Sequence, residues 1–402
     1  MRYQTRFRWF FFMLVIFNLA ANFAHPVTPT LIKELNLRDY MFGAALAAML
    51  FTNFLLSPFW GKINTYISSK VSMLICSCGY GAAQLWFAYA STEPEILAAR
   101  MFAGLFTGGV FTSFLTYVVN VSARKDIGKN LTISAAIQSV ASAFGYMIGG
   151  FLGEVSVRLT FLVQAVTLIA CGFLFFVICL PDSEMNFKEV SPSRLLKEAN
   201  PLQAILDSRY FMSAAFALLF AVNLLVNFGF TGFDQAFNYY LKDGLGLTSS
   251  YNGMIKAVVG IMAFVSNMTL CIWIMKRKDR NQLTVLVIAA CAAGALGSVL
   301  TVNAAPLIGY GLLLFGAYFV SVPLIQDMVA KEAKEEQKNL VMGFYNATKN
   351  IGGMAGSLTA GMIYSVHAKL PFWCMFVVLL AAAVVMAVYA GRRKDGYLKA
   401  AQ

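Results

Sequence analysis

Twelve apolar segments run through the chain, and each is long enough to cross a lipid bilayer, since a helical span needs about 20 apolar residues. The segments lie at 9–30, 41–60, 70–90, 95–121, 132–153, 159–180, 209–240, 251–275, 282–303, 305–330, 340–365 and 370–391. Helices are the expected form, because a lipid-exposed backbone must satisfy its own hydrogen bonds and barrel strands would be shorter and alternate in polarity. We therefore predict an all-α membrane protein with 12 transmembrane helices.

Composition agrees with this prediction. The 402 residues are 59% hydrophobic and only 12% charged, which is more apolar surface than a water-soluble fold can bury. The first apolar segment follows three arginines, as a signal peptide would, but it is too long for such a peptide and lacks a small-residue cleavage site. We expect it to remain as the first helix.

The distribution of Lys and Arg predicts the orientation. If the N-terminus is cytoplasmic, 23 of these residues lie in cytoplasmic stretches, 5 in external stretches and 3 within spans. Such an excess is typical of cytoplasmic loops. We predict a multi-pass protein of the cytoplasmic (inner or plasma) membrane with both termini inside, and the net charge of +12 then reflects topology rather than a nucleic-acid partner.

Two short patterns recur after about half the chain. Asn18–Ala24 returns as Asn223–Gly229, 205 residues later, with two Asn four residues apart in each copy. The sequence Leu-x-Leu before Gly43 returns before Gly253, 210 residues later. Repeats of this kind are typical of transporters built from two related halves. We predict two pseudo-symmetric six-helix bundles, 1–180 and 209–402.

The only long polar stretch lies between these halves. Residues 181–208 carry charges of both signs and are predicted to form a cytoplasmic linker, with one short amphipathic helix around Pro192–Asn200.

Glycine motifs and one buried arginine then point to a family. The fourth segment contains Arg100-x-x-x-Gly104-x-x-x-Gly108, the fifth contains Gly145-Tyr146-x-x-Gly149-Gly150, and the second loop runs from Gly61 to Lys70. With twelve segments in two halves, the chain resembles the major facilitator superfamily. It departs from that family's motifs at three positions: Tyr146 replaces Pro, Thr65 replaces Asp, and Ser69 replaces Arg.

The resemblance implies a secondary transporter that works by alternating access, with a substrate site at the membrane midplane between the halves. The implied partners are a small-molecule substrate, a coupling proton or counter-substrate, and the lipid bilayer around a monomer. The sequence has no ATP-binding Gly-x-x-x-x-Gly-Lys-Ser/Thr run and no clustered acid–base or nucleophile set, so we expect neither an enzyme nor a cofactor. With two His, and seven Cys all in apolar segments, we expect no metal site.

Ionisable residues inside spans are candidate functional groups, because a charge in a membrane is costly. The clear cases are Arg100, Asp234, Lys256 and Lys349, with His25 also titratable. Asp234 and Lys256 lie at similar depth on neighbouring predicted helices, which favours a salt bridge. The pair is interpreted either as a static neutral pair or as one that opens during transport.

Lys349 has no obvious acidic partner and lies near the middle of its span. It is interpreted either as a lysine held by carbonyls or water, or as a site for an anion, together with Asn346 on the same helix face. The segment Gly343–Lys349 is similar to one in the oxalate–formate exchangers of the superfamily. That similarity implies that a lysine here and a cation on helix eight, here Lys256, contact carboxylates.

Polar side chains form stripes on matching helices of the two halves. Such stripes face a bundle interior or a wet cavity, where they either tie helices together or bind polar solutes. The members are Asn18, Asn22 and His25 in the first half, Asn223 and Asn227 in the second, with Gln138 and Gln164 as further candidates. Three aromatic residues, Phe230, Phe233 and Tyr345, are candidates to line the same cavity.

Two substrate classes remain open. The cationic residues favour a small organic anion, moved by exchange or ion coupling. The motifs on helices four and five resemble those of proton-coupled multidrug efflux antiporters, in which Asp234 or His25 would cycle a proton.

Overall fold

A computed structural model describes residues 2–123, 126–182, 200, 206–334 and 337–400. The helices before residue 183 are α1 Arg2–Ala21, α2 Thr28–Glu34, α3 Met41–Ile63, α4 Ser69–Tyr89, α5 Glu93–Val121, α6 Ile127–Val155 and α7 Val157–Ile178. The long helices after residue 206 are α8 Ala214–Asp243, α9 Ser249–Met275, α10 Arg280–Leu300, α11 Ala304–Glu332, α12 Lys338–Tyr364 and α13 Leu370–Ala400. The linker helix predicted around Pro192–Asn200 lies outside the described residues, except for Asn200 itself.

The all-α membrane fold is confirmed. Within the described ranges, ten helices are long and apolar enough to cross a bilayer. Two other long helices are α1, in which Phe7–Ala21 is apolar, and the more polar α12. A long helix overlaps each of the twelve predicted segments, but a count of twelve spans stays a prediction.

The first predicted span is not one continuous helix, which corrects the prediction for 9–30. A turn at residues 22–27 separates α1 from α2. In this turn, some backbone hydrogen bonds span three residues instead of four. For example, the backbone N–H of Asn22 donates to the Leu19 carbonyl at 3.2 Å. The cause is Pro26, which lacks an amide hydrogen and disfavours helical geometry in the residue before it.

The ninth helix also differs from the prediction for 251–275. It begins at Ser249 and passes through one π turn at Asn267–Cys271 before it ends at Met275. Such bulges interrupt the regular hydrogen-bond ladder and reorient the following side chains.

The described residues fall into two compact units. Unit 1 lies within Met1–Leu37, Ala48–Pro201 and Gly246–Ile261. Unit 2 lies within Arg38–Ala47, Leu202–Leu245 and Met262–Gln402. The predicted halves, 1–180 and 209–402, rest on the sequence repeat and stay a prediction.

Glycines set the closest helix contacts in both units, and they do so at repeated positions. A Cβ on any of these glycines would collide with a backbone carbonyl of the facing segment, so only glycine permits the approach. The pairs are Gly145 with Leu19 and Gly149 with Phe23 in unit 1, and Gly352 with Leu224 and Gly356 with Phe228 in unit 2. The two residues of unit 1 whose carbonyls face the glycines, Leu19 and Phe23, thus correspond to Leu224 and Phe228 of unit 2, 205 residues later.

The second sequence repeat also has a structural counterpart. In unit 2, Gly43 of α3 packs against Gly361 of α12, and the Ser357 hydroxyl donates to the Gly43 carbonyl at 2.9 Å. In unit 1, Gly253 of α9 packs against Gly150 of α6. The two recurring glycines, 210 residues apart, therefore serve the same kind of helix crossing.

Candidate functional site

A buried amide network connects α8 to α12 within unit 2. Asn223 is 1% exposed, and its Nδ2 donates to the Tyr345 carbonyl at 2.9 Å and to the Thr348 hydroxyl at 2.8 Å. Asn227 lies one turn later and donates to the carbonyl and the Oδ1 of Asn223 at 2.7 and 3.0 Å. On α11, the Tyr318 hydroxyl donates to Asn227 Oδ1 at 2.9 Å.

An aromatic wall adjoins this network. The rings of Phe230 and Tyr318 are stacked with centroids 3.4 Å apart and planes 5° apart. Asp234 follows one turn after Phe230, is half-buried, and acts electrostatically on Tyr318. Phe233 is fully buried and packs on Phe315 rather than lying at an accessible surface.

Lys349 differs from the two amides of the network, Asn223 and Asn227. It lies one residue after Thr348 on α12 and is half-buried. Among the described residues, its ammonium has no hydrogen-bond or ion-pair partner. Asn346, one turn earlier on the same face, is exposed. The ammonium therefore keeps three unused donors.

Unit 1 has a second polar cluster around the end of α1. Asn18 is 2% exposed and bonds within its own helix, to the Leu14 carbonyl at 2.8 Å. Asn22 donates to the Asn18 carbonyl at 2.8 Å and to the Ser142 hydroxyl of α6 at 2.9 Å. Gln138 lies on α6 one turn before Ser142 and is half-buried.

Gln164 binds the backbone at the end of α1. It is fully buried on α7, and its Nε2 donates to the Ala21 carbonyl at 3.0 Å, one of the carbonyls left free where α1 ends. Its Oε1 has no partner among the described residues.

His25 and two cations lie near one another in unit 1. The His25 ring is 5.3 Å from that of Tyr146, and the Lys256 ammonium is 6.0 Å from the same Tyr146 ring. The charges of Arg100 and Lys256 both act on His25. His25 and Lys256 thus lie beside the ring of Tyr146, which stands in place of the Pro of the helix-five motif.

Arg100 and the two glycines that follow it in its motif each have a structural role. It is 6% exposed, donates to the Thr28 hydroxyl at 3.2 Å, and lies 3.8 Å above the Phe87 ring. One and two turns later, Gly104 and Gly108 let α5 approach α3 closely. The arrangement combines a cation–π contact with tight helix packing.

The predicted residues thus separate into two groups. Unit 1 contains Asn18, Asn22, His25, Arg100, Gln138, Gln164 and Lys256, and unit 2 contains Asn223, Asn227, Asp234, Asn346 and Lys349. Asp234 and Lys256 both have interaction partners, but they belong to different units, so their salt bridge stays a prediction. Within the described ranges, no group of three or more His, Cys, Asp or Glu is placed to hold a metal ion.

Sequence reasoning missed several partners of the predicted residues, among them Ser142, Tyr146, Tyr318 and Thr348. Three of them gave no signal, because an isolated Ser, Thr or Tyr in an apolar segment is ordinary. Tyr146 did give one, since it departs from the helix-five motif.

Comparison with known proteins agrees with the fold. The sequence model of the Major Facilitator Superfamily matches residues 10–357. Quinolone resistance protein NorA of Staphylococcus aureus is 22% identical over 395 residues, covering 94% of this chain and 95% of that protein. Two solved structures are similar over most of both chains. A bacterial homolog of the human lysosomal transporter Spinster has a TM-score of 0.78 at 12% identity, covering 97% of each chain. The human organic anion transporter MFSD10 has a TM-score of 0.61 at 18% identity, covering 94% of this chain and 97% of that one. The chain therefore belongs to the Major Facilitator Superfamily.

Proposed function

We propose that this multi-pass membrane protein is a secondary active transporter of small organic anions, which it moves by exchange or ion coupling. The observation that carries the proposal is Lys349, a half-buried ammonium with no hydrogen-bond or ion-pair partner among the described residues. A charge in a membrane protein usually has a partner. We infer that the missing partner is the acidic group of the substrate.

The neighbouring amides have no hydrogen-bond donors left for a substrate. Both Nδ2 hydrogens of Asn223 and both of Asn227 are used within the network, and Asn227 Oδ1 accepts from Tyr318. Their bonds fix α8 against α12 and α11. The lysine ammonium supplies the unused donors, so it rather than the amides would select the substrate's charge.

The size of the expected attraction supports an anion. Two opposite unit charges 4 Å apart attract by about 4 kcal/mol at an effective dielectric constant of 20, against about 1 kcal/mol in water. The stacked Phe230 and Tyr318 rings offer an apolar surface near the network. A carboxylate on an apolar body matches both features.

The test is thermal unfolding of the purified protein in detergent, with and without a panel of small carboxylates. A bound ligand raises the unfolding midpoint. We expect carboxylates to stabilise the wild type and to lose that effect in Lys349→Met. The control is Lys242→Met, which removes the same charge near the end of α8. Equal stabilisation of all three proteins would overturn the role of Lys349.

A second candidate is proton-coupled multidrug efflux. It is favoured by the similarity to Quinolone resistance protein NorA along almost the whole chain. In this alternative, Asp234 or His25 cycles a proton and the substrate is a lipophilic drug. Stabilisation by lipophilic cations that survives Lys349→Met but fails in Asp234→Asn would support efflux and contradict the anion proposal.

The predicted orientation becomes part of the proposal. With both termini in the cytoplasm, the loop at Lys369 is external and the residues after Arg392 are internal. A single cysteine is placed either at 369 or after Arg392, in an otherwise cysteine-free variant. In intact cells, only the cysteine at 369 should react with a membrane-impermeant thiol reagent. The reverse labelling pattern would invert the topology.

A further inference from the structure

We propose that unit 2 carries a binding site for an anionic phospholipid, separate from the transport site. The site consists of a basic pocket at one end of α9, α10 and α11 and of an apolar groove between the same helices. By the predicted orientation it opens to the cytoplasmic leaflet. Neither part contains a residue assigned above to substrate recognition.

The pocket encloses about 600 Å³ and has a positive lining. Its cations are Arg277, Lys278, Arg280 and Lys331, and its lining carboxylate is Glu332. Just behind it, Asp327 accepts from Arg280 at 3.0 Å and from Lys331 at 2.8 Å, so it holds those two cations in place. Arg277 and Lys278 are exposed at the rim, where a phosphate would meet them first.

One lining residue indicates a headgroup with a hydroxyl. Asn281 Oδ1 is buried and has no hydrogen-bond partner among the described residues. A buried acceptor without a partner costs free energy, and a ligand hydroxyl would satisfy it. Asp279, the residue before α10, makes no side-chain capping bond, so the first amides of α10 also keep unused donors. Phosphatidylglycerol supplies both the phosphate and the hydroxyl.

The groove fits one acyl chain. It has a volume of about 600 Å³ and a lining that is apolar except for Ser266. Along α9 it extends from Met262 to Ile274, which is about 18 Å at the rise of an α-helix. One leaflet of a bilayer has a hydrocarbon depth of about 15 Å. A soluble anion has no acyl chain to fill this groove. We therefore favour a lipid as the source of the phosphate.

One aromatic side chain joins the two parts. Trp273 lines the groove, and the Arg277 guanidinium lies 4.4 Å from its ring. Trp at the level of the lipid headgroups is typical of membrane interfaces. The pocket and the groove therefore meet where the headgroup of a bound lipid would join its chains.

The test uses the purified full-length protein in detergent, titrated with phosphatidylglycerol or phosphatidylcholine and followed by native mass spectrometry. We expect phosphatidylglycerol to bind selectively. The double variant Arg277→Gln, Lys278→Gln should weaken that binding about 30-fold, because each of the two surface cations contributes about 1 kcal/mol and a tenfold change in affinity corresponds to about 1.4 kcal/mol. The control is Lys62→Gln, Lys129→Gln, which removes the same charge from the end of α3 and the start of α6 in unit 1. This variant should bind the lipid as the wild type does.

Two further arms distinguish the lipid from a free anion. Glycerol phosphate should bind far more weakly than the lipid, and Gly316→Leu should weaken lipid binding by filling the groove, since a Cβ there meets only the flexible end of Met262. Equal binding of glycerol phosphate and phosphatidylglycerol, or equal losses in the two double variants, would overturn the proposal. These outcomes do not depend on transport, so they are separable from a failure of the proposed function.

Discussion

The replacement Asn223→Leu tests whether the amide network holds unit 2 together. Leucine has a similar volume, so the change removes hydrogen bonds without opening a large cavity. Three side-chain bonds are lost: those to the Tyr345 carbonyl and the Thr348 hydroxyl, and the one from Asn227 to Asn223 Oδ1. Side-chain hydrogen bonds in membrane proteins average about 0.6 kcal/mol, so the expected loss is about 2 kcal/mol.

The matched control for this prediction is Asn18→Leu, at the equivalent position of the other repeat. Asn18 is equally buried but donates only to the Leu14 carbonyl of its own helix, so the expected loss is about 0.6 kcal/mol. The assay is reversible unfolding in mixed micelles with increasing dodecyl sulfate. Equal losses in the two variants would refute the reasoning, because they would mean that the bonds between helices add nothing.

Three other predictions concern the helix packing, the contacts of Asp182 and the loop residue Lys369. Gly356→Leu should cost about 3 kcal/mol or prevent folding, since its side chain is forced against a facing carbonyl, whereas Gly343→Leu on the same helix enters open space and should be tolerated in the same unfolding assay. Asp182→Asn should cost about 2 kcal/mol by unfolding, because the Asp182 carboxylate accepts bonds from the amide and hydroxyl of Ser69 and from two other side chains; an unchanged stability would show that its charge is irrelevant. Burial lowers the pKa of Lys369 to about 8, so the unfolded chain binds more protons between pH 8 and 10; stability should rise with pH across that window in the wild type and stay flat by comparison in Lys369→Met.

Much of the fold was predictable because lipid restricts the choices of the chain. Long apolar segments could only be helices, and the two sequence repeats marked real repeats of packing. The recurrence of Gly43 as Gly253, for example, corresponds to two glycine crossings, one in each unit. The repeated glycines predicted repeated helix crossings because only glycine allows backbones to approach so closely.

Details set by local backbone chemistry or by distant partners were harder to predict. The break after α1 required weighing Pro26 against a strongly apolar pattern, and hydropathy alone favoured a continuous span. The π turn of α9 left no sequence signal that we recognised. The role of Tyr318 depends on α11 lying beside α8, which the sequence of either helix does not specify. The polar residues were identifiable because charges and amides are rare in spans, but their partners were not.

The most direct test of the central claim is transport in proteoliposomes, with uptake of a labelled aromatic carboxylate measured against the same carboxylate trapped inside. The account predicts exchange by the wild type and by Lys242→Met, and loss of exchange in Lys349→Met while the protein remains folded. Undiminished carboxylate exchange in Lys349→Met, or proton-driven movement of lipophilic cations alone, would contradict it.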